Sequence, residues 1–330
     1  MGGFNLNFDM KKNIKIFCTL GPSTLNKDFL KFSNQKISLL RINMSHVEMH
    51  GLKRMLKFIK KFSKVPICID TEGAQIRTRT RRKRFIKKNK KLKIFKKSND
   101  FMIYPPETFN KVRLNDILNI GFDGLEVQII KKSLSKIICK TLNEGILDNN
   151  KGIHVVNRFI KLNFITEKDK EAINIAKQMQ IKHFALSFTN TKNDIHKFNK
   201  LLPDMTKIFK IESKTAIKNL NEILSNGSSF LIDRGDLSKN ISTVMLPAIQ
   251  RKIFKNAIKK KKKVYVATNF LESMGEKKYP TLAEANDIYN TLEMGGAGLV
   301  LAAETAVGKY PKECVNFLRK MIKTFNKTRP

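Results

Sequence analysis

Short apolar runs alternate along this chain with longer segments in which apolar residues recur every three or four positions. The runs are rich in Ile, Val, Leu and Phe, and runs of about four to eight such residues are typical of buried β-strands. The segments between the first runs, LNKDFLKFS and EMHGLKRMLKFIKKF, have the spacing of amphipathic helices. The pattern predicts eight strands, at residues 13–20, 37–44, 65–70, 182–188, 207–213, 228–234, 263–269 and 297–304.

Regular alternation of strands and helices indicates a parallel α/β architecture. Eight such units fit a (β/α)8 TIM barrel, in which the active site lies at the C-terminal ends of the strands. A doubly wound open sheet is the alternative. We predict that residues 1–78 and 161–330 form the barrel and that residues 79–160 form an inserted, β-rich lid domain.

The predicted insertion begins where the βα rhythm stops. Residues 79–97 contain four Arg, eight Lys and no acidic residue. The turn signals Pro105-Pro106 and Asp123-Gly124 and the β-like runs LEVQII and SKIICK follow this basic stretch. The stretch is the best candidate for nucleic-acid binding in the chain, and a solvated basic surface is the favoured interpretation.

The composition adds an extreme charge to this picture. The chain has 65 Lys and Arg against 28 Asp and Glu, a net charge of +37, and such a field attracts polyanions. Anionic substrates together with an A+T-biased genome are the favoured explanation of this charge, and dedicated nucleic-acid binding is the alternative. We find no apolar stretch of membrane-spanning length and no signal peptide, so we expect a soluble, cytoplasmic protein without a membrane partner. The four separate cysteines indicate buried apolar positions and no zinc or disulfide framework.

Polar residues at the ends of predicted strands five and six have the chemistry of a metal site. Glu212 and Asp236 follow adjacent strands, and Mg²⁺ is typically held by one or two carboxylates with substrate oxygens. Lys210 alternates with Glu212 and therefore points to the same side, which places a cation beside the metal. This combination suits phosphoryl transfer, which depends on positioning and charge neutralisation. A purely structural Lys–Glu pair is the alternative interpretation.

A second oxygen-rich group follows predicted strands two and three. It offers amide, hydroxyl, carboxylate and main-chain carbonyl oxygens, a hard ligand set that suits K⁺. Helix capping at βα turns explains the same residue types. The members of the group are Asn43, Ser45, Asp70 and Thr71.

A run of segments, in consistent order from residue 14 to about residue 320, resembles the signature segments of the pyruvate kinase family. These segments are KIFCTLGPST, LLRINMSH, ICIDTEGAQIRT, ALSFTNT, IFKIES, LIDRGDL, VYVATNFLESM, PTLAEANDIYNTLEMG and LAAETAVGKYP. The resemblance implies a TIM barrel that transfers the phosphoryl group of phosphoenolpyruvate to ADP, giving pyruvate and ATP. It also implies Mg²⁺ or Mn²⁺, and K⁺, as cofactors.

By this resemblance, Lys210 stabilises the transferring phosphoryl group and Arg41 clamps phosphate. Glu212 and Asp236 bind the divalent ion, and the backbone at Gly235 and Asp236 holds the substrate carboxylate. Thr268 takes part in the relay that protonates the enolate.

Further roles follow from the same resemblance. The oxygen-rich group Asn43, Ser45, Asp70 and Thr71 would hold K⁺. His46, Arg77 and Asn43 would face the nucleotide. The basic insertion corresponds to a mobile lid, in which Asp123 would approach the nucleotide-bound metal.

The sequence departs from the family pattern at several positions. Asp233 stands where the family has a small residue, and we expect its charge to repel an anionic substrate unless it turns away or pairs with a Lys. Gln75 replaces an acid associated with K⁺ dependence, and Val307 replaces a Lys, which predicts weaker nucleotide contacts. The other departures are Glu72, Ala74, Asn190, Ala302 and Ala303.

The resemblance covers the barrel and the lid, and it predicts a short form without the C-terminal regulatory domain. We therefore expect no sugar-phosphate control, and any homo-oligomer would form through barrel contacts. The alternative function is a catalytically silent barrel that binds RNA or another polyanion through residues 79–97. A third hypothesis is a barrel of the same fold that uses a different phosphoryl donor or acceptor.

Overall fold

A computed structural model of the protein describes residues 13–98, 100–121, 124–156, 158, 160–239 and 241–328. The strands are β1 Lys15–Thr19, β2 Leu39–Asn43, β3 Ile67–Asp70, β4 Ile76–Thr80, β5 Arg84–Ile86, β6 Lys91–Phe95, β7 Phe101–Tyr104, β8 Ile117–Ile120, β9 Leu125–Lys132, β10 Lys136–Thr141, β11 Gly145–Leu147, β12 Gly152–Val155, β13 His183–Leu186, β14 Thr206–Ile211, β15 Ser229–Asp233, β16 Lys263–Ala267 and β17 Gly298–Leu301.

The helices occur mainly between the strands of the barrel. They are α1 Lys27–Ser33, α2 Met49–Phe62, α3 Thr108–Lys111, α4 Glu167–Gln178, α5 Lys192–Leu201, α6 Lys214–Lys218, α7 Leu220–Asn226, α8 Arg234–Ser238, α9 Leu246–Lys259, α10 Leu282–Glu293, α11 Ala303–Ala306 and α12 Pro311–Thr328. Short 3₁₀ helices span Met44–His46, Thr243–Met245 and Glu272–Gly275. No helix within the described ranges is long and apolar enough to cross a bilayer.

The chain forms two compact units, residues 1–71 with 170–330 and residues 72–169. In the first unit, the strands that the structure describes close into a parallel barrel in the order β1-β17-β16-β15-β14-β13-β3-β2. The predicted TIM barrel is confirmed, and each predicted strand overlaps one of its members. Strands buried on both faces read as continuous apolar runs, which is why the sequence pattern located them.

The interior of the barrel is filled by side chains from every one of its described strands. This packed core has no room for a pore. Its buried members are Phe17, Leu39, Cys68, Ala185, Ile208, Leu231, Tyr265, Ala267 and Val300. The helices cover the outer face of the sheet, as α2 does with Leu52, Leu56 and Ile59 buried one turn apart.

The second unit contains an antiparallel sheet in the order β6-β10-β9-β8-β12-β4-β7 and the pair β11-β5. Phe101, Phe109 and Ile129 are among the residues of its own hydrophobic core. Its range, 72–169, is wider than the predicted insertion of 79–160. Strand β4 pairs with β7 and β12 from residue 76 onward, and Asp169 accepts the amide protons of Glu72 and Gly73 at 2.6 and 3.1 Å.

Candidate active site

Charged side chains gather at the C-terminal ends of the barrel strands. Parallel strands of a closed barrel end at the same rim, so residues far apart in sequence meet there. The group comprises Arg41 in β2, Asp70 at the end of β3, Lys210 in β14, Glu212 directly after β14, Asp233 at the end of β15, Asp236 in α8 and Thr268 directly after β16.

Asp70 is the buried anchor of this cluster. Its Oδ2 accepts hydrogen bonds from Arg41 Nε at 2.6 Å and from Lys210 Nζ at 3.1 Å, and Arg41 Nη2 lies 2.5 Å away. Burial alone would raise the pKa of Asp70, but Arg41 and Lys210 hold it below its ordinary value. Arg41 also donates from Nη1 to Thr19 Oγ1 at 2.9 Å. These bonds fix the direction of the Arg41 guanidinium.

Lys210 is a buried, permanently charged cation. Its Nζ lies 2.7 Å from Glu212 Oε1, 3.4 Å from Asp233 Oδ2 and 3.2 Å from Ser187 Oγ. Burial acts to lower the pKa of Lys210, and the carboxylates of Asp70, Glu212 and Asp233 raise it well above its ordinary value. The short Lys210–Glu212 distance agrees with the predicted placement of both side chains on one side of the strand.

Glu212 is held from the opposite direction by the backbone. The amide of Phe188 donates to Glu212 Oε2 at 2.6 Å, and Phe188 has φ 51°, a conformation that a bulky residue rarely adopts. Burial raises the pKa of Glu212 to about 8 with help from Asp236 and Asp233, against the opposing effect of Lys210. Burial and the neighbouring acids therefore outweigh the stabilising charge of Lys210 at this carboxylate.

Three carboxylates of the cluster have the arrangement of a divalent-metal site. Glu212, Asp233 and Asp236 each offer an oxygen, and these oxygens lie within 4.8 Å of one another. Glu212 Oε1 is buried, and among the described residues its contact is the ion pair with Lys210 Nζ at 2.7 Å, which lacks hydrogen-bond geometry. A hard donor set of three carboxylates fits Mg²⁺ or Mn²⁺. Glu212 and Asp236, the predicted metal ligands, are both members of this group, and Asp236 also forms an ion pair with Lys239.

Asp233 was expected to repel an anionic substrate unless it turned away or paired with a Lys. The second condition is met, because Asp233 Oδ2 lies 3.4 Å from Lys210 Nζ and 3.9 Å from Arg41 Nη2. Its Oδ1 lies 3.5 Å from the position that a Cβ of Gly235 would occupy. The carboxylate therefore faces the same buried cations as Asp70.

Thr268 is held in a strained conformation beside Asp233. Its φ of 71° is a left-handed value that costs a β-branched residue roughly 1–3 kcal/mol. Three contacts stabilise it: Gly235 N donates to Thr268 Oγ1 at 2.8 Å, Thr268 Oγ1 donates to Ala267 O at 2.5 Å, and Arg234 Nε donates to Thr268 O at 3.0 Å. The hydroxyl has a fixed position. The Gly235 amide, predicted to hold a substrate carboxylate, would first have to exchange Thr268 as its partner.

The predicted potassium ligands occupy neighbouring strand ends, since Asn43 and Asp70 are partners across β2 and β3. The contacts of Asp70 go to cations and to Ser187, and Asn43 Oδ1 accepts the amide of Ser45 at 3.1 Å. Thr71 Oγ1 accepts the amide of Ser187 at 2.9 Å. Because these bonds use the same oxygens that would bind K⁺, the potassium site stays a prediction.

The predicted nucleotide residues lie in different parts of the chain. His46 is an exposed member of the 3₁₀ helix that follows β2. Arg77 belongs to the second unit, where it is buried in β4 opposite Tyr104 and Gly152. Asp123 lies outside the described residues. Their contacts with a nucleotide stay predictions.

A cavity of about 410 Å³ lies in the barrel unit beside Val307. Ser23, Asn26, Lys309 and Lys312 are also among the residues that line it. Val307 itself is 66% exposed. The position at which the family pattern has a Lys therefore faces an open polar cavity.

Sequence reasoning missed Ser187 and Thr19. Ser187 follows β13 and donates to Asp70 Oδ1 at 3.1 Å and to Thr71 O at 2.7 Å, while it lies 3.2 Å from Lys210 Nζ. Thr19 is the last residue of β1 and accepts from Arg41. Both stand at the strand ends that supplied the other residues, so applying that rule to hydroxyl groups would have found them.

The fold and the cluster define a TIM-barrel protein whose rim combines fixed cations with a carboxylate group suited to a divalent ion. The family model described as "Pyruvate kinase, barrel domain" matches residues 11–315, and the chain belongs to this family.

Relatives support the same assignment. The chain is 30% identical over 329 residues to the pyruvate kinase of Staphylococcus saprophyticus, covering 93% of this chain and 56% of that protein. It is 30% identical over 332 residues to the pyruvate kinase of Geobacillus stearothermophilus, covering 94% and 57%. The chain thus spans about half the length of the curated relatives it matches.

Proposed function

We propose that this chain transfers the phosphoryl group of phosphoenolpyruvate to ADP and thereby forms pyruvate and ATP. The observation that carries the proposal is the position of Lys210 Nζ, 2.7 Å from Glu212 Oε1 and 3.1 Å from Asp70 Oδ2, within a carboxylate group suited to a divalent ion. Family membership and the pyruvate kinase names of the relatives support the same reaction.

Lys210 and Arg41 would neutralise the transferring phosphoryl group. In this reaction the bond between phosphorus and the enol oxygen breaks, and a terminal oxygen of ADP forms the new bond to phosphorus. Negative charge spreads over the phosphoryl oxygens during the transfer, and cations held in place stabilise it without reorganising. Asp70 supplies this order, because it binds both cations and is itself not exposed.

Glu212 and Asp236 would hold the divalent ion, which would supply charge neutralisation at the phosphoryl and enolate oxygens. Asp233 and Lys210 lie next to the same position, so the carboxylates are held beside a fixed cation.

Thr268 would act at the carbon end of the substrate. Loss of the phosphoryl group leaves an enolate, which must accept a proton at carbon to become pyruvate. The hydroxyl of Thr268 is held between Gly235 N and Ala267 O, so its oxygen has a defined position for a proton relay. The strain at Thr268 is consistent with this role, since such strain concentrates at functional sites.

The test is pyruvate formation by the purified chain from phosphoenolpyruvate, ADP, Mg²⁺ and K⁺, followed by coupling to lactate dehydrogenase. We expect Lys210→Met to lower the turnover number by about 10²–10³-fold, as loss of a preorganised charge-stabilising group does. The matched control is Lys207→Met on the same strand, because Lys207 donates only to the carbonyls of Leu202 and Pro203 in loop 202–205. Unchanged turnover in Lys210→Met, or no turnover in the parent chain, would overturn the proposal.

A specific observation favours a second candidate function, polyanion binding by the second unit. Lys91 in β6 lies directly opposite Lys140 in β10, and Lys93 is exposed on the same strand. Like charges directly across a sheet destabilise it, and a bound phosphate backbone would relieve the repulsion. Binding of single-stranded RNA that weakens steeply with salt in the parent chain, and less steeply in Lys91→Gln/Lys140→Gln, would support this function.

The remaining expectations stay predictions of the same proposal. They are the nucleotide contacts of His46, Arg77 and Asn43, a homo-oligomer formed through barrel contacts, and a cytoplasmic location.

A further inference from the structure

Asp233 is the residue of the cluster to which the proposed function assigns no chemical role. It is buried, with 5% of its surface exposed, at the end of β15. Its nearest cations are Lys210 at 3.4 Å and Arg41 at 3.9 Å. Charge-assisted hydrogen bonds are typically about 2.7–2.9 Å long, so these contacts are too long to account for burying a carboxylate.

The other cations of the cluster are already engaged by other acids. Arg41 Nε donates to Asp70 Oδ2 at 2.6 Å, and Lys239 forms an ion pair with Asp236. Lys210, which also contacts Asp70 at 3.1 Å, is therefore the nearest cation of both Glu212 and Asp233.

The described cluster consequently has one more acid than base. The acids are Asp70, Glu212, Asp233 and Asp236, and the bases are Arg41, Lys210 and Lys239. A small residue at position 233, as in the family pattern, would leave the cluster with equal numbers of acids and bases.

The positions of the carboxylate oxygens indicate where a compensating positive charge would bind. One oxygen of Asp233 lies within 4.8 Å of oxygens of both Glu212 and Asp236. Two ligands on opposite sides of an octahedral Mg²⁺ are about 4.2 Å apart, twice a bond of about 2.1 Å. The three oxygens thus need to approach one another only slightly to share an ion. A second feature points to the same place, since Glu212 Oε1 is fully buried and its one cation among the described residues is Lys210 Nζ at 2.7 Å, a cation that also contacts Asp70 and Asp233.

We propose that Asp233 is a third carboxylate ligand of the divalent ion, so that this chain binds the ion through Glu212, Asp233 and Asp236 before any substrate arrives. The inference rests on the proposed function for its ion site and adds a ligand that the family pattern does not supply. Mg²⁺ is usually held by one or two carboxylates, and a third one suits a larger divalent ion such as Mn²⁺ better.

The experiment measures Mn²⁺ binding to the full chain without substrates, from the electron paramagnetic resonance signal of free Mn²⁺. We expect Asp233→Asn and Asp233→Ala each to weaken binding by at least about tenfold, since even residues behind the ligands change metal affinity by 10–100-fold. The matched control is Asp28→Asn, which removes an exposed acid of the same unit that pairs with Lys312. Thermal unfolding without metal shows whether each variant is folded, and the Ala variant restores a small residue at this position.

Glu212→Gln separates the two possible failures. If it abolishes Mn²⁺ binding while both Asp233 variants bind like the parent chain, Asp233 is not a ligand and the proposed function stands. If Glu212→Gln also binds Mn²⁺ like the parent chain, the ion site is wrong and both proposals fail. The inference further expects Mn²⁺ to raise the melting temperature of the parent chain more than that of Asp233→Asn, and equal increases would contradict it.

Discussion

Replacing Asp70 by Asn tests whether one buried carboxylate organises the cationic half of the candidate site. The Asp70 side chain is not exposed and accepts hydrogen bonds from Arg41, Lys210 and Ser187. Asn has nearly the same shape and keeps one acceptor oxygen, so the substitution removes charge without opening a cavity. Arg41 and Lys210 would remain buried with less compensation.

The expected loss of stability follows from these contacts. Removing one partner of a buried ion pair costs about 3–5 kcal/mol, because the other charge is left without compensation. Lys210 keeps Glu212 at 2.7 Å, and Asn can still accept one hydrogen bond, so we expect the lower end, about 3 kcal/mol. In a protein of this size each kcal/mol shifts the melting temperature by about 2–4 °C, and we expect a decrease of about 6–12 °C.

The assay is thermal unfolding at pH 7, followed by circular dichroism, with urea unfolding as a second measure of the free energy. Asp28→Asn is the matched control, because an exposed ion pair contributes about 0–1 kcal/mol. A loss below about 1 kcal/mol in Asp70→Asn would refute the assignment of Asp70 as the anchor of Arg41 and Lys210. Repeating the melts with K⁺ examines the predicted potassium site, which requires K⁺ to stabilise the parent chain more than Asp70→Asn.

Three other predictions concern separate parts of the chain. Thr268→Ala should lower turnover by about 10²-fold or more while Thr268→Ser keeps most of it, and equal rates in a coupled assay would argue against a relay through this hydroxyl. Val307→Lys should lower the KM for ADP severalfold by placing a cation at the cavity beside this position. An unchanged KM would indicate that the nucleotide does not bind in this cavity. Burial acts to raise the pKa of Asp116, and Arg158, donating at 2.7 and 2.8 Å, lowers it below the ordinary 3.8. The stability that Asp116 contributes is therefore present above about pH 4 and lost at lower pH, so urea unfolding should show the difference between the parent chain and Asp116→Asn shrinking as pH falls below 3.8 toward the lower pKa of the folded state.

The barrel strands could be predicted because their apolar runs are buried on both faces. KVYVATN and AGLVLAAE contain β16 and β17, and little else in a parallel sheet produces such short continuous runs. The bounds of the second unit could not be found in the same way. Glu72 and Gly73 join it through hydrogen bonds to Asp169, a partner almost a hundred residues away that has no local signal.

Some features of the candidate site depend on neighbouring residues in the sequence, and others depend on residues from distant strands. Lys210 and Glu212 face one direction because strand residues alternate, and that rule needs only the sequence. The environment of Asp233 depends on Lys210 and Arg41, which come from two other strands. The sequence shows an additional acid beside the predicted metal ligands, and only the assembled rim shows which cations that acid faces.

The charge of the whole chain and the charge of the candidate site have opposite signs. The chain carries +37, whereas the described cluster has one more acid than base. The overall field attracts anions toward the protein, but salt screens it beyond about 8–10 Å, so the local charge balance decides which ions enter the cluster first. With all of its acids ionised, the cluster would change from one negative charge in excess to one positive charge in excess when a divalent ion binds. For the proposed phosphoryl transfer, this change predicts that the ion binds first and the anionic substrate second.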